Sequence, residues 1–179
     1  MTVYLDMDGV IADFFGGIEQ WHGVAHWKSI KDKYTLINSI KYTDFFYQIE
    51  PFETTFKLVD FVKEVTKGDW GICSSPLQGD VSNSSYWKRQ WLDKYDILPT
   101  IDQLIFTSNK HKYCYNQLNF KPNILIDDKP ENIKRWVEAG GIGIRYQANE
   151  DDLEEYLFVE IERALQLNKE QLLYGATNL

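Results

Sequence analysis

Two aspartates near the start of the chain, Asp6 and Asp8, have the residue type and spacing that most directly suggest chemistry. They follow a short apolar run at residues 3–5, and Gly9 comes next. Side chains two positions apart in an extended segment project to the same side, so the two carboxylates would repel each other unless a cation lies between them. A hard divalent cation fits such a pair. The alternative is a polar turn that only ends a strand, since Asp and Gly favour turns.

Three further apolar, strand-like runs also end in polar residues: Ser74 and Ser75, Lys110, and the pair Asp127 and Asp128. Each ending alone is weak evidence, because turns favour Ser and Pro and most lysines lie on the surface. Polar groups that follow parallel strands gather at the carboxyl edge of the sheet, where open α/β folds bind ligands. We therefore predict that all four polar endings meet at one edge of a sheet.

Such a set of carboxylates, hydroxyls and one lysine suits magnesium-dependent phosphoryl transfer. A divalent metal and a lysine neutralise phosphoryl oxygens while an oxygen nucleophile attacks phosphorus in line. When the nucleophile is a carboxylate, it forms an aspartyl-phosphate that divides one difficult displacement into two easier ones. The sequence therefore favours an enzyme with Mg²⁺ as its cofactor.

The order of the predicted elements favours an α/β fold, a Rossmann-like parallel sheet sandwiched by helices. Between the strand-like runs at 3–5 and 70–73 lies a long segment rich in aromatic residues, which is more chain than a plain crossover needs. We predict that residues 14–67 form a small, mainly helical cap and a return helix, inserted after the first strand. Residues 1–13 and 68–179 then form the catalytic core. The predicted helices cover residues 11–21, 53–67, 86–95, 130–139 and 150–167.

Two of these helices carry more specific expectations. In the helix at 53–67, one face carries four apolar residues, Phe56, Val59, Val62 and Val65, and this face is predicted to be buried. Residues 83–85 are asparagine and two serines, which favour the N-cap of the helix at 86–95.

Composition and charge restrict the classes of partner. The chain of 179 residues has 19 basic and 27 acidic residues and a net charge of −8, which repels the phosphate backbone, so duplex nucleic acid is not an expected partner. Its two cysteines, Cys73 and Cys114, match neither a disulfide framework nor a zinc signature. Asp6 and Asp8 interrupt the N-terminal apolar run, and no apolar stretch is long enough to cross a bilayer. We therefore expect a cytoplasmic protein without a membrane partner.

The polar strand endings resemble, in order, the four motifs that define the haloacid dehalogenase superfamily of phosphatases and phosphotransferases. The segment DMDGV at 6–10 is similar to the first motif, and ICSSP at 72–76 is similar to the second. Lys110 stands in the place of the third, and ILIDD at 124–128 is similar to the fourth. Five longer segments resemble the 5'(3')-deoxyribonucleotidases: DMDGVIADF at 6–14, DFFYQIEP at 44–51, ICSSPL at 72–77, YWKRQW at 86–91 and LIDDKP at 125–130.

The resemblance implies catalytic roles for four residues. Asp6 would be the nucleophile, and Asp8 would be the general acid for the leaving group and then the base that activates water. Ser74 and Lys110 would hold phosphoryl oxygens. Deoxyribonucleotidases more often carry threonine where this chain has Ser74, but the hydroxyl remains, so the chemistry is expected to survive.

The resemblance also implies how the metal is bound. Mg²⁺ would be held by the Asp6 carboxylate, the main-chain carbonyl of Asp8 and the Asp128 carboxylate. Asp127 is a further candidate metal ligand, and it would orient the site through Lys110 or through a metal-bound water. Only the resemblance favours Asp128 over Asp127.

The same resemblance implies how the substrate is bound. Phe14 would stack against a nucleobase, and Ser75 and Lys88 would grip the phosphate. The cap between residues 21 and 42 does not match the family, so base and sugar preference stay open, since stacking alone discriminates bases poorly.

The expected function is removal of phosphate from (deoxy)nucleoside monophosphates, and the first alternative is a phosphatase of the same superfamily that acts on another small phosphomonoester. A receiver-type signalling domain also combines acidic pairs, a hydroxyl and a lysine, but the long insertion after the first strand does not fit one. A non-catalytic nucleotide-binding module is disfavoured, because the groups needed for phosphoryl transfer are all present. The sequence leaves open the preferred base, the 5' or 3' position of the phosphate and the oligomeric state.

Overall fold

The computed structural model describes residues 1–117 and 119–176, and its centre is a five-stranded parallel sheet. Residues 118 and 177–179, which the predicted 68–179 core includes, lie outside the described residues. The strands are β1 (Val3–Leu5), β2 (Trp70–Ser74), β3 (Leu104–Phe106), β4 (Ile124–Asp127) and β5 (Ile142–Arg145). Their order is β3-β2-β1-β4-β5, and all four pairings are parallel. The predicted Rossmann-like α/β fold is therefore confirmed.

Helices alternate with the strands along the chain. The α-helices are α1 (Phe14–His22), α2 (Lys33–Ser39), α3 (Phe45–Gln48), α4 (Thr55–Val65), α5 (Val81–Lys94), α6 (Pro130–Glu138) and α7 (Val159–Ala176). Short 3₁₀ turns cover Trp27–Ser29, Ile101–Gln103 and Lys110–Tyr113, and a π-helical segment at Leu153–Phe158 leads into α7. None of the helices in the described ranges has the length and apolar character needed to cross a membrane.

The side chains of the central strands alternate between two hydrophobic clusters, one on each face of the sheet. In β1, Val3 and Leu5 belong to the larger cluster, and Tyr4 between them belongs to the smaller one. α5 contributes Trp91 to the larger cluster, and α6 contributes Trp136 to the smaller one. Because both faces are covered, the central strands are apolar throughout rather than alternating with polar residues.

α1 and the C-terminal helix begin later than predicted. α1 begins at Phe14 rather than at residue 11, because a tight turn precedes it, in which the N–H groups of Ile11 and Ala12 both donate to the carbonyl of Met7. The helix predicted at 150–167 begins with the π-helical segment and continues as α7 beyond its predicted end.

α5 begins five residues earlier than predicted, at Val81. Residues 83–85, predicted to lie before the helix, therefore form part of its first turns. Asp80 precedes the helix, and its buried carboxylate accepts hydrogen bonds from Asn83 Nδ2 and from the backbone N–H of Tyr42, both at 2.9 Å. The start of α5 is thus set by a contact with a segment almost forty residues away, which local sequence patterns do not reveal.

α4 buries a somewhat different face from the one predicted. Leu58, Val59 and Val62 are fully buried, whereas Phe56 is 44% exposed and contacts the ring of Tyr95 at a centroid distance of 6.2 Å. The buried face is therefore centred on Leu58 and Val62, and Phe56 lies at its edge.

The segment 14–67 packs against α5 mainly through α3 and the residues that flank it. The indole Nε1 of Trp91 donates to the carbonyl of Ile49 at 2.7 Å, and Asn83 Nδ2 donates to the carbonyl of Thr43 at 2.9 Å. These helices share the larger hydrophobic cluster with the sheet. The division into a cap at 14–67 and a separate core remains a prediction.

Trp91→Phe is expected to lower the free energy of unfolding by about 2–4 kcal/mol, because the Ile49 carbonyl loses its buried donor and the smaller ring leaves a cavity. Urea denaturation followed by circular dichroism measures this loss. The matched control is Trp87→Phe, since the half-buried Trp87 donates to the Asn83 side chain at 3.1 Å, and a loss below about 1 kcal/mol is expected there. Equal losses in the two variants would contradict the anchoring role of Trp91.

Candidate active site

The carboxyl ends of the strands bring together polar residues that lie far apart in the sequence. Asp6 directly follows β1, Ser74 ends β2, Asp127 ends β4, and Lys110 begins the 3₁₀ turn after β3. All four are buried. The ammonium of Lys110 lies 2.9 Å from Asp6 Oδ1 and 2.5 Å from Asp127 Oδ2. The predicted residues therefore meet at one edge of the sheet.

The ion pair between Lys110 and Asp6 keeps both groups charged despite their burial. Burial alone would raise the pKa of Asp6, but the positive charges of Lys110 and Lys88 hold it below its ordinary value. Burial alone would likewise lower the pKa of Lys110, but the carboxylates of Asp6 and Asp127 raise it above its ordinary value. Asp6 is thus an ionised carboxylate largely removed from water, which is the state a carboxylate nucleophile requires.

Asp127 has hydrogen-bond partners on both carboxylate oxygens. Its Oδ1 accepts from the backbone N–H of Lys129 at 2.9 Å and from Asn132 Nδ2 at 3.1 Å. Its Oδ2 accepts from Asn132 Nδ2 at 3.0 Å and from Lys110 at 2.5 Å. Burial and the nearby charge of Asp6 raise the pKa of Asp127, while Lys110 opposes that rise. The side chain is therefore fixed in orientation and holds Lys110 beside Asp6.

Asp128 is buried beside Asp127 but is held differently. Its Oδ1 is a buried atom that accepts no hydrogen bond from the described part of the chain. Burial, followed by the negative charges of Asp6 and Asp127, raises the pKa of Asp128 to about 7. Gly9 faces this carboxylate at a φ of +81°, and a Cβ there would come within 2.8 Å of Asp128 Oδ2. Glycine is needed here both for its backbone conformation and for the space it leaves.

The acidic residues have the composition of a binding site for a hard divalent cation. Asp6, Asp127 and Asp128 each offer a carboxylate oxygen within 4.8 Å of the other two. Magnesium prefers oxygen ligands and is commonly bound through one or two carboxylates. Because both oxygens of Asp127 are already hydrogen-bonded and Asp128 Oδ1 is not, the set fits a cation bound through Asp6 and Asp128.

Lys88 lies between Asp8 and the end of β2. Its ammonium donates to Asp8 Oδ2 at 2.7 Å, to Ser74 Oγ at 3.0 Å and to the carbonyl of Ser75 at 3.0 Å. The residue has no exposed surface. The resemblance to deoxyribonucleotidases implies that Lys88 grips the phosphate, and the structure adds that it forms an ion pair with Asp8.

A cavity of about 500 Å³ opens onto these groups. Its polar lining residues include Asp6, Asp8, Ser75 and Asp128. Its walls are largely apolar and include four aromatic rings, those of Phe14, Phe15, Trp27 and Phe46. Phe14 stacks on Phe46 at a centroid distance of 6.1 Å, and Phe15 stacks on Trp27 at 4.7 Å. The cavity thus combines charged groups, which suit a phosphoryl group, with aromatic rings, which suit a flat apolar group.

Sequence reasoning missed several residues of this site. Phe46 lies within the segment 44–51 that resembles the deoxyribonucleotidases, so a motif signal was present. Trp27 lies in the part of the cap that matches no family pattern. Asn132 and Lys129 contact Asp127 only because α6 begins directly after β4. No local pattern indicates those two contacts.

The fold matches solved structures of haloacid dehalogenase-like hydrolases. One from Xanthomonas campestris has a TM-score of 0.58 at 11% sequence identity, covering 96% of this chain and 94% of that protein. The HAD-hydrolase YfnB from Bacillus subtilis, solved bound to magnesium, has a TM-score of 0.53 at 14% identity, covering 84% of this chain and 88% of that protein. At such low identity these similarities establish the fold.

Sequence comparison finds a distant similarity to deoxyribonucleotidases. The chain is 26% identical to the mitochondrial 5'(3')-deoxyribonucleotidase of Mus musculus, over 73% of this chain and 66% of that protein. The match thus spans slightly less than two thirds of the length of that relative. No protein-family model matches the chain. The resemblance to the haloacid dehalogenase superfamily that the motifs predict is confirmed by the fold and by this similarity.

Asp128→Asn is expected to raise the melting temperature of the metal-free protein by several degrees at about pH 8 and by little at about pH 5. The folded-state pKa of Asp128 is about 7, above the ordinary value, so the folded state binds more protons than the unfolded state between about pH 4 and pH 7. The raised pKa therefore makes the folded state less stable as pH rises through this interval. Asparagine is neutral throughout and does not incur this loss.

Thermal unfolding in chelator at the two pH values measures the effect. Asp93→Asn, a change at an exposed position on α5, is the control and is expected to give no such pH-dependent difference. A stabilisation by Asp128→Asn that is equal at both pH values would show that the raised pKa of Asp128 is not its cause.

Proposed function

We propose that this protein is a magnesium-dependent phosphatase that removes phosphate from (deoxy)nucleoside monophosphates through an aspartyl-phosphate intermediate. The observation that carries the proposal is the ionised Asp6 carboxylate, paired with Lys110 and lining a cavity that aromatic rings also line. The charged groups suit phosphoryl transfer, and the aromatic rings suit a nucleobase.

In the first step, a carboxylate oxygen of Asp6 attacks phosphorus. The new bond between this oxygen and phosphorus forms as the bond between phosphorus and the leaving oxygen breaks. Asp8, which has to enter this step protonated, donates its proton to the leaving oxygen, so the nucleoside departs as a neutral alcohol. Lys110 and Ser74 offset the charge of the phosphoryl oxygens during the transfer.

In the second step, water attacks the phosphorus of the aspartyl-phosphate. Asp8, now a carboxylate, accepts a proton from the water. The bond between phosphorus and the Asp6 oxygen breaks, so inorganic phosphate leaves and Asp6 is regenerated. Both steps use the same pair of carboxylates, and Asp8 changes from acid to base between them.

The chain has the residues to hold a magnesium ion beside Asp6. Asp6 and Asp128 would bind it through carboxylate oxygens, and Asp8 would bind it through its main-chain carbonyl. Asp127 would act indirectly by holding Lys110, because its own oxygens are already occupied by hydrogen bonds. When bound, the ion supplies positive charge that neutralises phosphoryl oxygens and orients the phosphoryl group. The Bacillus subtilis hydrolase with the same fold was solved bound to magnesium, which supports the choice of this cation.

The aromatic walls support a nucleotide rather than another phosphomonoester as substrate. The stacked pairs Phe14 with Phe46 and Phe15 with Trp27 offer flat apolar surface, whereas a sugar phosphate needs more hydrogen-bonding groups. The activity of the distant mouse relative, a 5'(3')-deoxyribonucleotidase, agrees with this choice. Phosphate release from deoxy- and ribonucleoside monophosphates, compared with sugar phosphates and measured with magnesium and with chelator, tests it. Preferential release from sugar phosphates would favour the alternative substrate class.

Asp6→Asn is expected to reduce magnesium-dependent phosphate release from deoxynucleoside monophosphates by at least about 1,000-fold, because the amide is not a competent nucleophile. A phosphate-release assay measures this loss, and circular dichroism with thermal unfolding checks that the fold is retained. Undiminished release from a folded Asp6→Asn variant would remove Asp6 as the nucleophile.

Phe14→Ala is expected to weaken binding of a deoxynucleoside monophosphate by about 5- to 150-fold, as the loss of one base stack implies. Turnover of a phosphoester without a base is expected to change much less. The two substrates are compared in Phe14→Ala and in Phe56→Ala, a control that removes an exposed ring on α4. Equal losses on both substrates in Phe14→Ala would count against stacking of a base on this ring.

A further inference from the structure

The two carboxylate oxygens of Asp8 have different surroundings. Asp8 Oδ2 accepts a hydrogen bond from Lys88 at 2.7 Å, whereas Oδ1 accepts none from the described residues. Oδ1 is a buried atom, although the Asp8 side chain as a whole is 22% exposed and lines the cavity. The contact with Lys88 therefore fixes the orientation of the Asp8 carboxylate.

Lys88 is itself held in one position. Its ammonium also donates to Ser74 Oγ and to the Ser75 carbonyl, and it lies 4.7 Å from the centroid of the Phe46 ring. These contacts come from the end of β2, the loop after it and α3, and the residue has no exposed surface. An ammonium fixed in this way is a rigid support for a carboxylate, unlike a surface lysine with free rotamers.

The same lysine connects Asp8 to the aromatic wall of the cavity. Phe46 stacks on Phe14, and both rings line the cavity. Lys88 thus contacts both the side chain proposed to donate the proton and an aromatic ring that lines the cavity.

We propose that Lys88 is a positioning residue, which acts through Asp8 rather than mainly on the phosphate. By holding Asp8 Oδ2, it fixes the orientation of the Asp8 carboxyl group, which passes its proton to the leaving oxygen as the bond between phosphorus and that oxygen breaks and the bond from phosphorus to Asp6 forms. The inference rests on the proposed function, because it assigns a support to the proposed general acid. It differs from a phosphate clamp in one measurable respect, the dependence of the rate on the leaving group.

Proton donation matters most when the leaving group is poor. A nucleoside leaves as a basic alkoxide unless it is protonated, whereas p-nitrophenol is acidic enough to leave as its anion. A clamp on the phosphate would act on both substrates alike, because the phosphoryl group is the same. The value of kcat/KM reports the step up to the first phosphoryl transfer, so it isolates the step in which Asp8 is the acid.

The experiment compares Lys88→Met with the wild-type protein on a deoxynucleoside monophosphate and on p-nitrophenyl phosphate, both with magnesium. For Lys88→Met, kcat/KM is expected to fall by about 100-fold or more on the nucleotide and by less than about tenfold on the aryl phosphate. Equal losses on the two substrates would overturn the positioning role and leave Lys88 as a phosphate clamp.

Lys94→Met is the matched control, since it removes a lysine from the same helix. Lys94 lies 5.0 Å from the ring of Tyr47 and 4.7 Å from the ring of Tyr95, so it also has aromatic contacts. It is exposed and is the last residue of α5, six positions after Lys88. Its variant is expected to retain kcat/KM within about twofold on both substrates.

If Lys88→Met does not fold, Lys88→Gln takes its place in the same comparison with the same expected losses, because the neutral amide cannot form the ion pair that holds Asp8 Oδ2. The wild-type protein separates this inference from the proposed function. Failure of the wild type to release phosphate from either substrate with magnesium would defeat the proposed function. An active wild type with equal losses in the lysine variant would defeat only the positioning role.

Discussion

The candidate site depends on the balance between four carboxylates and two lysines at one edge of the sheet. Asp6, Asp127 and Asp128 are buried and Asp8 is partly exposed, while Lys110 and Lys88 provide the paired positive charges. A charge removed from water costs several kcal/mol unless a partner compensates it. The two lysines pair with Asp6, Asp127 and Asp8, so the uncompensated charge concentrates at Asp128. A divalent cation is the ligand that this imbalance favours.

The sheet provides this arrangement through its register. β1 lies between β2 and β4, and Leu5 pairs with both Ile72 and Ile126. Asp6 therefore emerges beside the ends of both neighbouring strands, and its backbone N–H donates to the carbonyl of Ile126 at 2.9 Å. The apolar clusters on the two faces hold these strands in place, and the positions of the strands fix the positions of the charged groups at their ends. The stability of the core thus supports the precision of the site.

The sequence predicts the parts of this site that lie next to strand ends and leaves out those that depend on distant contacts. Asp6, Ser74 and the pair at 127–128 each lie at the end of an apolar run. Strands that alternate with helices form a parallel sheet, and this arrangement alone brings the ends of the runs to one edge. The start of α5 could not be predicted, because the carboxylate of Asp80 binds the backbone of Tyr42 there. The ion pair between Lys88 and Asp8 joins residues eighty positions apart, and the sequence around neither residue indicates it.

Asp127 and Asp128 are adjacent residues of the same type, but their hydrogen-bond partners differ. Asp127 accepts bonds from Lys110, Asn132 and the backbone of Lys129, so a cation would have to displace existing contacts to bind it directly. Asp128 has a buried oxygen without a hydrogen bond from the described residues, and a cation would satisfy it. The residue type alone leaves the choice between the two aspartates open. The surrounding donors favour Asp128, because a carboxylate can bind a metal only where its lone pairs are not already used.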